Sequence, residues 1–274
     1  MRHKTHQIRA RLDKGEDAVG IWVQTGGAAV VEIAGAVGLD FVLIDGEHGP
    51  FGFDHVVSLI RAAQAAGVMP VVRVPVTGPG GLSELGRYLD AGATGLLVPQ
   101  VGSASHASAI VAATKYRTGA FPDGARGACP ITRATAYSSP DWASYADRSN
   151  DGILVWLLLE SPEAMDDLPA IVEVPGVDGI MFGTHDLSVA MGCNGDRTHP
   201  DVLAKLDGAV ERVRRKGIEV IGSLDDASPA AAVAHHARLA ADGSRIFLTA
   251  SDGRVLFNSF HNLHEALRQV ARMR

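Results

Sequence analysis

From about residue 19 to its end the chain alternates short, nearly uninterrupted apolar runs with longer segments whose apolar residues recur at helical spacing. It does so eight times. The runs that read as strands are 20–25, 41–46, 69–75, 95–101, 152–160, 178–184, 218–224 and 244–251, each rich in Val, Ile, Leu or Phe, as strands buried on both faces of a parallel sheet are. Between them lie segments such as FDHVVSLIRAAQAAG, where Val56, Leu59, Ile60 and Ala63 share one helical face. Gly38, Gly67, Gly92, Gly176, Gly217 and Gly243 each stand where a helix must stop before the next strand, a position suited to a left-handed residue. Eight units over residues 19–274 average 32 residues each, close to the ~250-residue total typical of a (β/α)8 barrel. A doubly wound open sheet is the alternative, but no G-x-G-x-x-G turn follows the first strand. The expectation is one α/β domain over residues 1–274, closing with a C-terminal helix at 252–274. One segment breaks the rhythm. Residues 117–151 form an insertion between the fourth helix and fifth strand, far longer than the ~2–6 residues usual there, with a short helix expected in SPDWASYADRS.

The net charge of −6 offers no cationic surface for nucleic acid or anionic lipid. The longest stretch without a charged residue, Ala91 to Thr114, is broken by Pro99, Gln100, Ser103 and His106, so no membrane span is expected. Two cysteines, Cys129 and Cys193, cannot build a disulfide framework and point to a reducing, cytoplasmic setting. Lysine is scarce. Lys115, Lys205 and Lys216 fall on helices, and Lys4 and Lys14 precede the first strand, so no strand end carries an imine-forming amine. Nor is there a G-x-S-x-G elbow or a G-x-x-x-x-G-K-[ST] loop.

Barrel enzymes place their chemistry at the carboxyl ends of the strands. Here those ends carry Asp45, Glu47 and His48 after the second strand, Arg73 on the third, Gln100 after the fourth, Glu160 on the fifth and Thr184, His185 and Asp186 after the sixth. Ser223 with Asp225, and Ser251 with Asp252, follow the last two. Glu160 and Asp186 on neighbouring strands can hold one hard divalent cation, although Asp186 could merely cap a helix and Glu160 pair with a base. His48 beside two acids is a candidate general base. Arg73 suits a carboxylate or enolate, or else a structural ion pair with Asp45 or Glu47.

The segments LIDGEHGP, PVVRVP, YLDAGATGLLVPQV, LLESPEAM and GVDGIMFGTHDLSVAMG, in that order, resemble the HpcH/HpaI family of metal-dependent pyruvate aldolases. The resemblance spans roughly residues 15–270 and implies a barrel of the phosphoenolpyruvate/pyruvate type. It further implies that Glu160 and Asp186 bind Mg²⁺, Mn²⁺ or Co²⁺ with pyruvate, that Arg73 stabilises the enolate oxygen, and that His48 is the base toward a 4-hydroxyl. Asp90 matches the partner of that His, Asp45 a residue supporting the site, and the amides of His185 and Asp186 the receptor of the pyruvate carboxylate. The substrate pocket would thus include Arg73, Leu158, Thr184, His185 and Asp186. Leu158 stands where the family usually has Gln, His185 where it has a small residue, and the loop ending at Arg126 and Gly127 is longer than the family's, which implies a changed substrate or reaction on a retained metal-enolate scaffold. The implied reaction is reversible cleavage of a 4-hydroxy-2-oxo acid into pyruvate and an aldehyde. Alternatives are oxaloacetate decarboxylation with condensation, of the macrophomate synthase type, and an inactive barrel retained as a binding subunit. The implied assembly is a homo-oligomer, a hexamer built as a trimer of dimers.

Overall fold

In the computed structural model, residues 6–75, 81–138, 141–224 and 228–272 are described. Eight parallel strands close into a barrel in chain order: β1 Ala18–Val23, β2 Phe41–Asp45, β3 Met69–Arg73, β4 Gly95–Val98, β5 Leu154–Leu159, β6 Gly179–Phe182, β7 Glu219–Leu224 and β8 Ile246–Thr249. β8 pairs back onto β1, so the sheet has no edge. This is the (β/α)8 fold. The six glycines expected to stop helices all adopt positive φ, between +71° and +104°.

Alternation along each strand divides the apolar residues between two cores. Phe41 and Leu43, Met69 and Val71, and Leu154, Trp156 and Leu158 point into the barrel. Val42 and Ile44, Val72, and Val155, Leu157 and Leu159 point outward against the helices. The interior is packed solid. Phe41 meets Trp156 edge-on at 5.4 Å, and a Cβ on Gly20 would fall 2.5 Å from the Phe41 ring, so these bulky rings require a residue without a side chain opposite them. Ile8, from the helix His6–Asp13 that precedes β1, joins the same interior cluster.

The period that buries these residues also builds the mouth of the barrel. Continuing the inward set by two residues gives Asp45 after Leu43, Arg73 after Val71 and Glu160 after Leu158. Asp45 and Arg73 are register partners on adjacent strands. Three charges therefore converge where the apolar filling ends.

The insertion keeps its expected helix, Trp142–Gly152, and packs as a third small core of Tyr116, Tyr145 and Ala146 against Trp142. It is tied to the barrel by Arg126, whose guanidinium lies 4.4 Å from the centre of the Tyr116 ring and 2.7 Å from Asp90 Oδ1. The last helix, Asp252–Arg272, begins with a buried Asp252 that accepts hydrogen bonds from the backbone amides of Gln24 (2.9 Å) and Thr25 (3.1 Å). Beyond that anchor its apolar residues are bare. Among the described residues, no helix is long and apolar enough to cross a membrane.

Candidate active site at the carboxyl ends of the strands

Asp45 is fully buried and holds Arg73 with two hydrogen bonds, Nε to Oδ1 at 2.8 Å and Nη2 to Oδ2 at 2.5 Å. Gln24 Nε2 (2.7 Å) and the amides of Glu47 (3.2 Å) and His48 (3.1 Å) also donate to it. Burial alone would raise the Asp45 carboxyl, but Arg73, Gln24 and the His48 amide outweigh it and hold the group below the ordinary carboxylate range. Asp45 is thus a fixed anion. Arg73 spends its remaining nitrogen, Nη1, on Glu47 at 3.1 Å, and its guanidinium carbon lies 4.6 Å from the centre of the Trp22 ring. The ion pairs considered for Arg73 with Asp45 and Glu47 both form, and the side chain still lines the cavity at the barrel mouth.

Glu47 in turn lies 3.8 Å from His48 Nε2, and the His48 side chain is largely exposed. Burial raises the Glu47 carboxyl; Arg73 and His48 oppose that, and Asp45 and Asp186 reinforce it. Arg73, Glu47 and His48 therefore form a continuous polar path from the barrel interior to solvent.

Glu160 stands at the centre. Burial pushes its carboxyl up to about 7, the Gln100 amide pulls it down, and the negative charges of Asp186 and Glu47 push it further up. The Gln100 amide reaches Glu160 Oε1 at 2.7 Å because Gln100 adopts a left-handed backbone, φ 56°, that a residue with a side chain seldom occupies. Gly183, at the end of β6, is pressed against the same carboxylate, and a Cβ there would lie 2.6 Å from Glu160 Cβ and 2.9 Å from Oε2. Asp186 follows in the first turn of the helix Thr184–Ala190.

Two cavities meet at this pair. The larger, about 690 Å³, is lined by Trp22, Arg73, Leu158, Thr184 and His185 among others, and the smaller, about 390 Å³, by Glu47, His48, Gln100 and Val189; Glu160 and Asp186 line both. His185 lies over Gly195, where a Cβ would come within 2.8 Å of the imidazole Cε1. Among the described residues no group of three His, Cys, Asp or Glu side chains is gathered for a metal. The donor set is therefore two carboxylates, with Glu47 next to them.

Asp90 lines neither cavity. The expected partnership with His48 is not made within this chain: Asp90 ends the helix Leu82–Asp90 and pairs with Arg126, whose buried guanidinium needs a counter-charge there. The carboxylate beside His48 is Glu47 instead. Asp225 lies outside the described residues. Lys115 is buried at the amino end of β5, donating to the carbonyls of Asn150 (2.6 Å) and Ile153 (3.0 Å), so it cannot reach this mouth even though burial lowers it to about 8. Strand-end reasoning does not single out Trp22, Gln24, Arg197 or Arg254, which also line the larger cavity. The first two were recoverable from inward parity on β1. The two arginines sit in exposed segments with no periodic signal.

A family model described as HpcH/HpaI aldolase/citrate lyase matches residues 18–259. The hydroxypyruvate/pyruvate aldolase of Agrobacterium fabrum is 37% identical over 213 residues, 77% of this chain and 77% of that one. The 2-dehydro-3,6-dideoxy-6-sulfogluconate aldolase of Pseudomonas putida is 34% identical over 253 residues, 89% of this chain and 96% of its own. A crystal structure of a family protein from Burkholderia cenocepacia J2315 aligns with a TM-score of 0.84 at 30% identity, covering 95% of this chain and 98% of that one. With an eight-stranded parallel barrel and a carboxylate-centred mouth, the chain belongs to the HpcH/HpaI aldolase/citrate lyase family and is a carbon–carbon lyase of the aldolase type.

Proposed function

We propose that the protein reversibly cleaves a 4-hydroxy-2-oxo acid into pyruvate and an aldehyde. The observation that carries this reading is the wall shared by the two cavities, where Glu160 and Asp186 stand with Arg73 on one side and His48 on the other. Hard oxygen donors suit Mg²⁺, Mn²⁺ or Co²⁺, and a cation would offset both causes that raise Glu160, burial first and then the negative charges of Asp186 and Glu47. Held by Glu160 and Asp186, such an ion would supply Lewis-acid polarisation of the 2-oxo group. The names of relatives as pyruvate-type aldolases support the same chemistry.

In this reading Arg73 points its guanidinium at the oxygen that gains negative charge as the C–C bond breaks, and Asp45 and Trp22 fix its direction. His48 takes the proton of the 4-hydroxyl, directly or through a water, and Glu47 stabilises the imidazolium that results. The amides of His185 and Asp186 receive the pyruvate carboxylate, Thr184 borders it, and Leu158 supplies an apolar floor beneath. Coupling pyruvate release to lactate dehydrogenase over a panel of 4-hydroxy-2-oxo acids, with and without EDTA, tests the reading. EDTA-sensitive release is expected, and absence of pyruvate from every member of the panel refutes it.

Because His48 opens onto a different cavity from Arg73, oxaloacetate decarboxylation is a second reaction the site can serve: loss of CO₂ needs no base, and the pyruvate enolate it leaves takes its proton from solvent or adds to an acceptor. His48→Ala should suppress aldol cleavage far more than decarboxylation; equal losses contradict the proton-handling role. A homo-oligomer, a hexamer built as a trimer of dimers, is supported by the bare stripe on the last helix, where Phe257, Phe260, Leu263 and Leu267 are 60–68% exposed. Both cysteines are free, which fits a reducing cytoplasm.

A further inference from the structure

Resting on that reading, we infer that Gln24 and the buried Asp252 are positioning residues for Arg73, a brace that runs from the first residue of the last helix to the guanidinium. Arg73 can stabilise a developing charge only if its plane is fixed, and that plane is set by the Asp45 carboxylate, which it grips with two hydrogen bonds. Each Asp45 oxygen has its own support. Oδ1 takes the Glu47 amide at 3.2 Å and the His48 amide at 3.1 Å, and Oδ2 takes Gln24 Nε2 at 2.7 Å. Asp45 is an anion that can only accept, so the Gln24 amide must turn its NH₂ toward it. Among the described residues Oδ2 has no donor besides Gln24 and Arg73. The twist of the carboxylate about the Oδ1 anchor therefore rests on Gln24; without it the ion pair is free to roll as a unit.

Gln24 is itself held from behind. β1 and β2 stay in register as far as Val23 and Ile44, which brings Gln24 beside Asp45, but the ladder ends there and the Gln24 amide turns to Asp252 Oδ1 at 2.9 Å. Asp252 is 2% exposed, and among the described residues no Lys or Arg pairs with it. Its charge is met by hydrogen bonds alone. Oδ1 also takes the Gly253 amide at 2.8 Å, and Oδ2 takes the Thr25 amide at 3.1 Å and the Thr25 hydroxyl at 2.5 Å. Capping does not account for this burial, because the Ser251 hydroxyl already accepts from the Arg254 amide at 3.3 Å. Three of the four groups that donate to Asp252 belong instead to the end of β1. Trp22, two residues earlier on the same inward face, lies against the Arg73 guanidinium at 4.6 Å. The end of β1 thus holds both the face of Arg73 and the carboxylate at its edge, and Asp252 holds the end of β1.

Gln24→Met removes the amide and keeps the length of a half-buried side chain, so the fold should persist. In the proposed reaction Arg73 meets its partner only once negative charge has developed, so kcat for aldol cleavage should fall about tenfold while KM stays within about twofold of wild type. Calorimetry in Mg²⁺ reads the same split without turnover. Oxalate, whose second carboxylate carries the charge an enolate oxygen would, should bind the variant about tenfold more weakly, and pyruvate should bind it as it binds the wild type. Equal losses for the two ligands, or wild-type oxalate binding, overturn the proposal. In an Arg73→Ala background Gln24→Met should weaken oxalate by less than about twofold further, because a positioning residue acts only through its target; a full effect there means that Gln24 touches the ligand itself and overturns the proposal. Asp252→Asn can offer its one oxygen to Gln24 or to Thr25 but not to both, so it should lose about threefold in oxalate affinity with pyruvate unchanged, and wild-type oxalate binding there removes Asp252 from the brace. Arg73→Ala alone separates the brace from the reading beneath it. If it binds oxalate like the wild type, the role of Arg73 is refuted and the brace with it; if it is impaired and Gln24→Met is not, only the brace is refuted.

Discussion

Gly183→Ala adds one methyl group at the closest approach of β6 to the candidate metal ligand. The new Cβ would lie 2.6 Å from Glu160 Cβ, 2.9 Å from Oε2 and 3.3 Å from Leu158 Cδ1. A carboxylate oxygen can swing away, but Glu160 Cβ is fixed to the backbone, so relief requires β5 and β6 to part at their carboxyl ends. Glycine-to-alanine exchange at an unstrained position stabilises by about 0.4–1 kcal/mol, and overpacking of this kind costs about 1–3 kcal/mol, so a net loss of roughly 1–2 kcal/mol is expected. The larger effect falls on the ligand. Gly183 N also donates to Leu159 O at 2.8 Å, so its displacement pulls on the segment that carries Glu160. Disturbing the support of a ligand typically costs 10–100-fold in metal affinity. Titration with Mn²⁺, followed by the EPR signal of the free ion, measures that loss, and a thermal melt measures stability. Gly179→Ala is the control: its Cβ would meet Trp156 Cδ1 at 2.8 Å, inside the barrel and away from Glu160, so it should lower stability while sparing Mn²⁺ affinity. Wild-type Mn²⁺ affinity in Gly183→Ala would refute the argument that this glycine exists to admit Glu160.

Cation affinity should fall as pH drops through about 7, approaching tenfold per unit below it, because the raised Glu160 carboxyl must lose its proton to act as a ligand. The same shift has a signed effect on the metal-free fold: the folded group binds its proton more tightly than the ordinary 4.5, so its stabilisation is complete below about 4.5 and lost as pH rises through about 7; melts against pH, with and without Mg²⁺, check this. Arg126→Ala removes the buried partner of Asp90 and the cation stacked on Tyr116, and should cost about 3 kcal/mol, or at ~2–4 °C per kcal/mol roughly 6–12 °C in Tm. Phe260→Asp with Leu263→Asp should dissociate the proposed oligomer in light scattering without unfolding the chain, since both side chains are at least 60% exposed.

The barrel is legible in the sequence because each strand is buried on both faces, which leaves its mark as uninterrupted apolar runs. The ends of those runs mislead by up to three residues for physical reasons. β4 stops at Val98, before Pro99, which has no N–H for the ladder, and β1 stops before Gln24, whose amide is taken by Asp252. Asp45, Arg73 and Glu160 are legible as charges closing apolar strands, and inward parity explains why all three meet. Arg197 and Arg254 carry no such mark, since they sit on exposed segments that only the closed barrel brings to one cavity. Asp90 shows the converse: a motif match identifies the residue, but the long insertion supplies a buried arginine that claims it.

The central claim is that Glu160 and Asp186 together hold one divalent cation at the wall between the cavities. Mn²⁺ titration by EPR of the wild type, Glu160→Gln and Asp186→Asn at pH 8 tests it most directly. One tight ion per chain in the wild type, lost in both variants while their folds persist, is the predicted result; unchanged Mn²⁺ binding in either variant would contradict it.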